Sequence, residues 1–505
     1  MSGNRSYAQV PVRWLTMSPK DCWIRSARRK RNSWVVEASI FSLVLISHAF
    51  AGDWPRFRGP NGAGITETGA VPYQFGPDKN MVWRTSLPLG HSSPVLSGER
   101  IFLTGVDGQK LFTFCLSRET GQILWRRDCP RDRSEALDKR NTAASPSAVT
   151  DGKNVYVFFG DFGLVSYGFD GNERWRVPLG PFHNVYGMGV SPILAGENII
   201  LVCDQSRDSF VIAVGKNDGR IRWKRPRPEA LSGHSTPVVY QPDSGPGQIV
   251  APGSFRVDAY SIETGETVWW ANGLPSEMKS GPVLGDRTIY ISGFNSPEND
   301  PGRQIHVPAF AELLAANDKD KDGRISRAEV PDERTKMYFP FIDLDQDGFI
   351  SAGEWKIYAA TMAAENALLA IRPGGHGDIT SSSLLWKYQR AVPQLPTLLL
   401  YQNVLYMLSD TGVLTTLNPS TGAMLKQGRL RGVADHYYAS PVAADGKIFI
   451  ASQGGVVTVL KAGADQEMMA ANELDDECYA TPAIADGRLY IRTRGALYCF
   501  GKKQK

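Results

Sequence analysis

The 505-residue sequence lacks a dominant charge: 56 basic against 52 acidic side chains leave a formal +4, too balanced for a nucleic-acid binder. It lacks paired cysteines as well. The six present, Cys22, Cys115, Cys129, Cys203, Cys478 and Cys499, form no C-x-x-C and no adjacent pair. That excludes a disulfide framework, a zinc ribbon and covalent haem, and leaves buried strand thiols as the expectation. No uncharged apolar run reaches the roughly 20 residues of a membrane-spanning helix, and no G-x-S-x-G nucleophile motif occurs. What is plentiful is the turn. With 50 glycines, 32 prolines and 42% hydrophobic residues, the chain reads as a large folded protein with many reversals.

The charge is unevenly placed. Arg28, Arg29, Lys30 and Arg31 precede the apolar run Val35 to Ser47 and the small-residue triplet Ala49-Phe50-Ala51. This order reads as an export signal over 1–51, cleaved after Ala51, with Met17 as an alternative start and an uncleaved anchor as the competing reading. The leader holds eight basic and two acidic residues, so the mature chain falls to −2. It is expected to be exported, to the periplasm, cell envelope or exterior, as a monomer without a transmembrane segment.

A short phrase recurs along the chain: a small or polar residue, proline, apolar residues, a turn, then a strand. Its copies are Ser93-Pro94, Ser145-Pro146, Ser191-Pro192, Thr236-Pro237, Gly281-Pro282, Leu395-Pro396, Ser440-Pro441 and Thr481-Pro482. Six of the seven steps lie between 41 and 52 residues, and one of 114 carries an insertion. A second phrase follows in each unit, as in Glu119-Thr120-Gly121 to Trp125, Gly171 to Trp175, Gly219 to Trp223 and Glu263-Thr264-Gly265 to Trp269. In the copy Ser420-Thr421-Gly422, Leu425 stands where tryptophan is expected. Glycine turns between apolar segments are hairpin signals, and four short strands per repeat of about 45 residues make a β-propeller blade. The tryptophans are read as structural wedges between blades.

On these phrases the chain resembles the pyrroloquinoline-quinone (PQQ)-type repeat propellers, whose blades carry A-x-D-x-x-T-G-x-x-x-W. Asp53 to Pro60, and Gly374 to Ile379 before Trp386, look like a secreted bacterial subgroup. The resemblance implies a mainly β fold of eight blades, with the missing outer strand of the last blade supplied by Lys79 to Leu87. It points to two activities. One is non-catalytic binding or scaffolding, as in the outer-membrane barrel-assembly lipoprotein. The other is PQQ-dependent oxidation of an alcohol or sugar, whose enzymes use a vicinal disulfide, calcium held by Glu and Asn, and a catalytic Asp. The absence of adjacent cysteines argues against the second.

The insertion, expected over 305–365 between 52–304 and 366–505, carries the most specific chemistry. Asp318, Asp320, Asp322, Arg324, Ser326 and Glu329 occupy positions 1, 3, 5, 7, 9 and 12 of an EF-hand loop. Asp343, Asp345, Asp347, Phe349, Ser351 and Glu354 repeat the set 25 residues later. Carboxylates at 1, 3 and 5, glycine at 6, a backbone carbonyl at 7 and a bidentate glutamate at 12 enclose a hard cation in oxygen. Two calcium ions are expected. Pro331 is expected to shorten the helix leaving the first loop, between outer helices over Val307 to Asn317 and from Ser351 to about Leu369.

The insertion stands on the face where the chain approaches each innermost strand. Those approaches hold His91, Asn141, His234, Lys279, Tyr438 and Tyr479, with His183 and His436 further back. His91, His234, Lys279, Tyr438 and Tyr479 are expected to form a polar, partly aromatic ring around a central funnel, suited to a protein partner or to an anionic or glycan-like ligand.

Overall fold

The computed structural model describes residues 52–67, 69–431 and 435–502; the expected export signal over 1–51 lies outside them. Eight sheets of antiparallel strands form the blades of a propeller. Burial falls outward through each blade. In the third, the strands Asn198–Cys203 and Phe210–Gly215 are almost wholly buried, whereas the outer strand Ile221–Pro226 keeps only Trp223 inside. The five described cysteines are free and buried, four of them in strands and Cys478 just ahead of one.

The ring closes as the sequence implies. Met81–Ser86 is the outer strand of the eighth blade, pairing antiparallel with Ala496–Phe500 from Met81 opposite Phe500 to Ser86 opposite Ala496. Both ends of the propeller sequence thus share one sheet, which removes the open edges of a part-circle.

The tryptophans do join blades, each packing on the next blade's turn. Trp83, Trp125, Trp175, Trp223 and Trp386 donate their indole N–H to the backbone carbonyls of Arg118, Phe169, Lys216, Ile262 and Pro419, at 2.9–3.2 Å. Glycine is required beneath them: at Gly422 the backbone has φ +71°, and a Cβ would sit 2.5 Å from the Trp386 ring. Trp269 bonds instead to Gln248 at 2.8 Å, because the fifth blade has no such turn there. Its place is taken by Gly377–Asp378, which adds a parallel fifth strand to the fourth blade.

Three sequence expectations need correction. The residue four beyond Gly422 is Lys426, not Leu425; its ammonium reaches the Asp465 carbonyl of the seventh blade, as the indoles reach theirs. In the second and sixth blades the repeat position is Ser147-Ala148 and Thr397-Leu398, two residues beyond the marked prolines, since the inner strands begin at Val149 and Leu399. The last insertion helix ends at Ala363, and Ala367–Ile371 is already a blade strand. The helix stops where the Asn299 amide caps the carbonyls of Thr361 and Ala364, at 2.7 Å each.

The insertion leaves the fifth blade after Gly293 and rejoins it at Ala367. It contains α1 (Phe310–Asn317), α2 (Glu333–Ile342) and α3 (Ala352–Ala363). Leu313, Ile325, Val330, Phe339, Ile342, Ile350, Trp355, Tyr358 and Met362 form a core of their own, separate from those of the blades. Pro331 delays α2 until Glu333, capped by Asp332, so one ten-residue helix leaves the first loop and enters the second.

Candidate functional site

Residues 52–67 run along the inner strands and close one end of the channel. Trp54 exchanges backbone hydrogen bonds with Leu96 of the first blade, and Pro55 accepts from Thr150 of the second. Arg56 donates to the Pro237 carbonyl of the fourth blade at 2.8 Å, and Arg58 to those of Leu398 and Pro441, in the sixth and seventh, at 2.8 and 3.1 Å. Gly64 and Thr66 bond with Ala443. The Asp53 to Pro60 phrase is therefore an axial plug.

Above it the blades are joined by a collar of hydroxyls. The backbone N–H of Ser93 donates to Ser147 Oγ, that of Ser147 to Ser191, and that of Ser191 to Thr236, at 2.8–3.1 Å. The circuit resumes from Gly281 to Thr397, Ser440, Thr481 and back to Ser93, at 3.0 Å each. It is broken only between Thr236 and Gly281, because glycine has no hydroxyl to accept.

A cavity of about 220 Å³ opens over this collar, and His91, His234, Lys279, Tyr438 and Tyr479 all line it, with Asn141. His183 and His436 do not; His183 faces Arg207 at 3.1 Å. The rings make two walls. Tyr438 stacks on Tyr479 at 5.2 Å and Tyr479 on His91 at 4.2 Å. Opposite them, Tyr186 meets His234 edge-on at 5.9 Å and lies beneath the cations of Lys279 and Arg140, at 5.6 and 5.9 Å. Burial pushes the imidazoles of His91 and His234 down to about 4 and about 3, so both are neutral at neutral pH. Buried and half-buried carboxylates anchor the approach loops: Asp161 accepts from Glu135 N–H, and Asp410 from the N–H groups of Gln394 and Leu395. Sequence reasoning missed Tyr186, Arg140, Phe57 and the collar. The first three sit at irregular loop or plug positions, but the hydroxyl beside the repeat proline was in plain view.

The EF-hand loops have the backbone form that encloses a cation. Lys321 and Gln346 at position 4, with Gly323 and Gly348 at position 6, take positive φ, which turns each loop around its own centre. Ile325 and Ile350 pair in a two-stranded antiparallel contact. Oxygens of Asp318, Asp320 and Asp322, and of Asp343, Asp345 and Glu354, gather within 4.8 Å of one another in each loop. Glu354 accepts from the N–H groups of Leu344 and Ser351 at 2.8 Å each and closes a capping box on α3. Glu329 binds Ser326 and Lys319 in the same way, and the Ser326 bonds hold its carboxyl down near 2. Arg324, whose carbonyl is position 7, ties the loops together through Asp322, Asp347 and the Phe349 ring. The donor sets fit calcium: all-oxygen, carboxylate-rich and placed on helix-linked loops.

The Glu, Asn and Asp set that the PQQ-enzyme resemblance implies finds no uncommitted counterpart among the described residues at this cavity. Asp138 is committed to Arg140 and Glu277 to Lys279, and the Asn141 amide donates to the carbonyls of Tyr186 and Gly187. No described cysteine lines it.

A second space, of about 240 Å³, lies between the insertion and the blades and shares Tyr186 and Gln394 with the first. Phe341 of α2 lies 6.1 Å from Tyr186, so the EF-hand pair abuts one wall of the funnel.

The family model of the outer membrane protein assembly factor BamB matches residues 114–300 and 361–505, about two-thirds of the chain, and an EF-hand model matches 336–357. No curated protein matches the sequence. Among solved structures, BamB from Moraxella catarrhalis is similar at a TM-score of 0.53 and 12% identity, over 84% of this chain and 98% of that one. The quinohemoprotein alcohol dehydrogenase ADHIIG from Pseudomonas putida HK5 is similar at 0.54 and 12%, over 90% and 81%. A europium-containing methanol dehydrogenase is similar at 0.54 and 10%, over 89% and 98%. At these identities the likeness is one of fold.

Proposed function

The chain belongs to the BamB family of PQQ-like repeat propellers, and from that premise we propose that it is a calcium-binding, non-catalytic binding or scaffold protein of the cell envelope. Its ligand surface is the funnel, and its ligand a protein partner or an anionic or glycan-like molecule. One observation carries this reading: side chains from the approach loops of several separate blades converge on a single cavity, on the face that carries the EF-hand pair. Loops held by carboxylates on rigid sheets are how propellers present a preformed site. Two calcium ions, one per loop, stabilise the insertion beside it. An envelope setting follows the family namesake, and among the described residues no helix is long and apolar enough to cross a membrane.

The test is binding of the full-length protein to glycan arrays and envelope polysaccharide, in calcium and in chelator, beside a Tyr438→Ala/Tyr479→Ala variant. Binding that the variant loses supports the reading; binding unchanged in the variant moves the ligand elsewhere. The dehydrogenase alternative is tested by dye-linked oxidation of alcohols and sugars after addition of PQQ and calcium. Turnover there would overturn the non-catalytic assignment.

A further inference from the structure

The seven collar hydroxyls, Ser93, Ser147, Ser191, Thr236, Thr397, Ser440 and Thr481, all line the funnel cavity. Each spends a lone pair on a neighbouring blade's N–H. A hydroxyl also carries one proton to donate, and among the described residues none of the seven gives its proton to a protein acceptor. The floor of the cavity is thus a ring of uncommitted donors.

Directly below the ring lies charge without a counter-charge. Arg56 and Arg58 are 6% and 1% exposed, and among the described residues neither has a carboxylate partner. Their acceptors are backbone carbonyls, and three of these belong to Pro237, Leu398 and Pro441, each the residue after a collar hydroxyl. The guanidinium groups thus bond the chain one residue beyond the ring, behind the cavity lining. Phe57, between them in sequence, faces the cavity. Arg56 Nε is buried with no partner at all. Burial pushes both groups down to about 9, and Arg56 adds to the effect on Arg58 by like-charge repulsion. Burying two such charges unpaired is costly. The acids at the rim do not offset it, since Asp138 and Glu277 already face Arg140 and Lys279.

Donors above and positive charge beneath select a group that only accepts. We propose that the propeller axis is an oxyanion site, in which a carboxylate, sulfate or phosphate group takes hydrogen bonds from the collar hydroxyls over Arg56 and Arg58. The proposal rests on the funnel being a ligand site and names the chemistry of its deepest part. The oxyanion is either free or borne by an acidic sugar, whose ring faces fit between the Tyr438–Tyr479–His91 stack and Tyr186.

The experiment is calorimetric titration of the full-length protein, in buffer free of halide, phosphate and sulfate, with three probes: sodium sulfate, glucuronate and glucose. One anion per chain is expected, with glucose at least ten-fold weaker than glucuronate. Binding of sulfate alone identifies a free oxyanion site; binding of glucuronate, either alone or displaced by sulfate, identifies an acid group borne by sugar. A Ser191→Ala/Ser440→Ala variant, its fold checked by thermal melting without ligand, should lose at least ten-fold in anion affinity. If it does not fold, competition between sulfate and glucuronate on the unmodified protein gives the location: two independent sites would overturn the proposal. So would silence toward both anions at millimolar concentration. Glucose binding as tightly as glucuronate would remove the oxyanion site and leave the glycan reading of the funnel standing.

Discussion

Calcium should act on the insertion far more than on the propeller. The segment from Asp318 to Glu354 carries ten acidic and six basic residues, and six of the acids converge in two clusters. Without the ion, their mutual repulsion is relieved by backbone N–H groups, the Ser351 hydroxyl and the Arg324 guanidinium. For sites in the affinity range of extracellular modules, about 10⁻⁴ to 10⁻³ M, about 5 mM calcium stabilises the folded form by about 1–2.3 kcal/mol per ion. The effect on melting depends on what unfolds together. If the roughly 450 ordered residues melted as one, the unfolding entropy of about 2.1 cal/mol/K per residue would turn this into only about 1–2.5 °C. The insertion, however, has its own core around Trp355 and Tyr358. For a unit of about 60 residues the same free energy amounts to about 8–18 °C per ion. Calorimetric scans should therefore show a lower transition that calcium raises steeply and an upper one that barely moves. Near-ultraviolet circular dichroism assigns the lower one to Trp355 and Tyr358. Glu329→Gln and Glu354→Gln should each reduce the stoichiometry from two ions to one. A single transition shifted by a degree or two would refute independent melting, and no heat of binding with no shift would refute the metal assignment altogether.

Closure of the ring is open to test through Trp83→Ala, which removes a nearly buried indole, its bond to the Arg118 carbonyl and its contact with Tyr490. It should cost about 3–5 kcal/mol in guanidinium unfolding, as much as Trp125→Ala within the ring; a loss under about 1 kcal/mol would mean that the closing strand is dispensable. Gly422→Ala should cost about 2–4 kcal/mol, from left-handed backbone plus collision with Trp386. Gly196→Ala, with φ +60° and open space around it, should cost only about 1 kcal/mol, and equal effects would dismiss the stacking argument. His91 and His234 are held below their unfolded value near 6.5, so the unfolded chain binds protons there first. Stability is then lost as pH falls from about 6.5 toward 4 and 3, by up to about 1.4 kcal/mol per unit for each histidine. His91→Gln and His234→Gln should flatten that slope between pH 7 and 5 in denaturant titrations; unchanged slopes would place the acid sensitivity elsewhere.

Periodic features were readable from the residues alone. Blade number, the closing strand, the site of insertion and both EF-hand loops follow from spacings that backbone geometry enforces. The funnel residues could be named because loop residues just ahead of a repeat strand must face the axis in any propeller. The errors fell where one residue can stand in for another. Ala148 and Leu398 occupy the proline slot without proline, so nearby prolines drew the eye to the wrong register. Lys426 makes an indole's hydrogen bond without being tryptophan. The seventh blade carries Ala470 in the docking position, and in the blade beyond it the outer two strands, Ala496–Phe500 and Met81–Ser86, are distant in sequence and joined by no turn that could receive a ring. The axial plug was invisible for a different reason. Its partners lie up to 383 residues away, and nothing in a short peptide shows that two arginines will be buried among carbonyls.

The plug and the closing strand also set the order in which the molecule can assemble. Both belong to the first part of the propeller made, yet Met81–Ser86 has no sheet to join until Ala496–Phe500 exists, and Arg58 has no acceptor at Pro441 before the seventh blade forms. Trp54 and Pro55 find Leu96 and Thr150 early, but Met81–Ser86 and Arg58 must wait while roughly 400 residues are added and fold, a late step that the high sequence separation of these contacts makes slow. Once Ala496–Phe500 has formed, and until Met81–Ser86 joins it, the outer edge of the eighth blade is open to any other extended strand. The same seam that makes the finished ring edgeless is, until it closes, the place where a second copy of the chain, or a chaperone, finds an unoccupied edge.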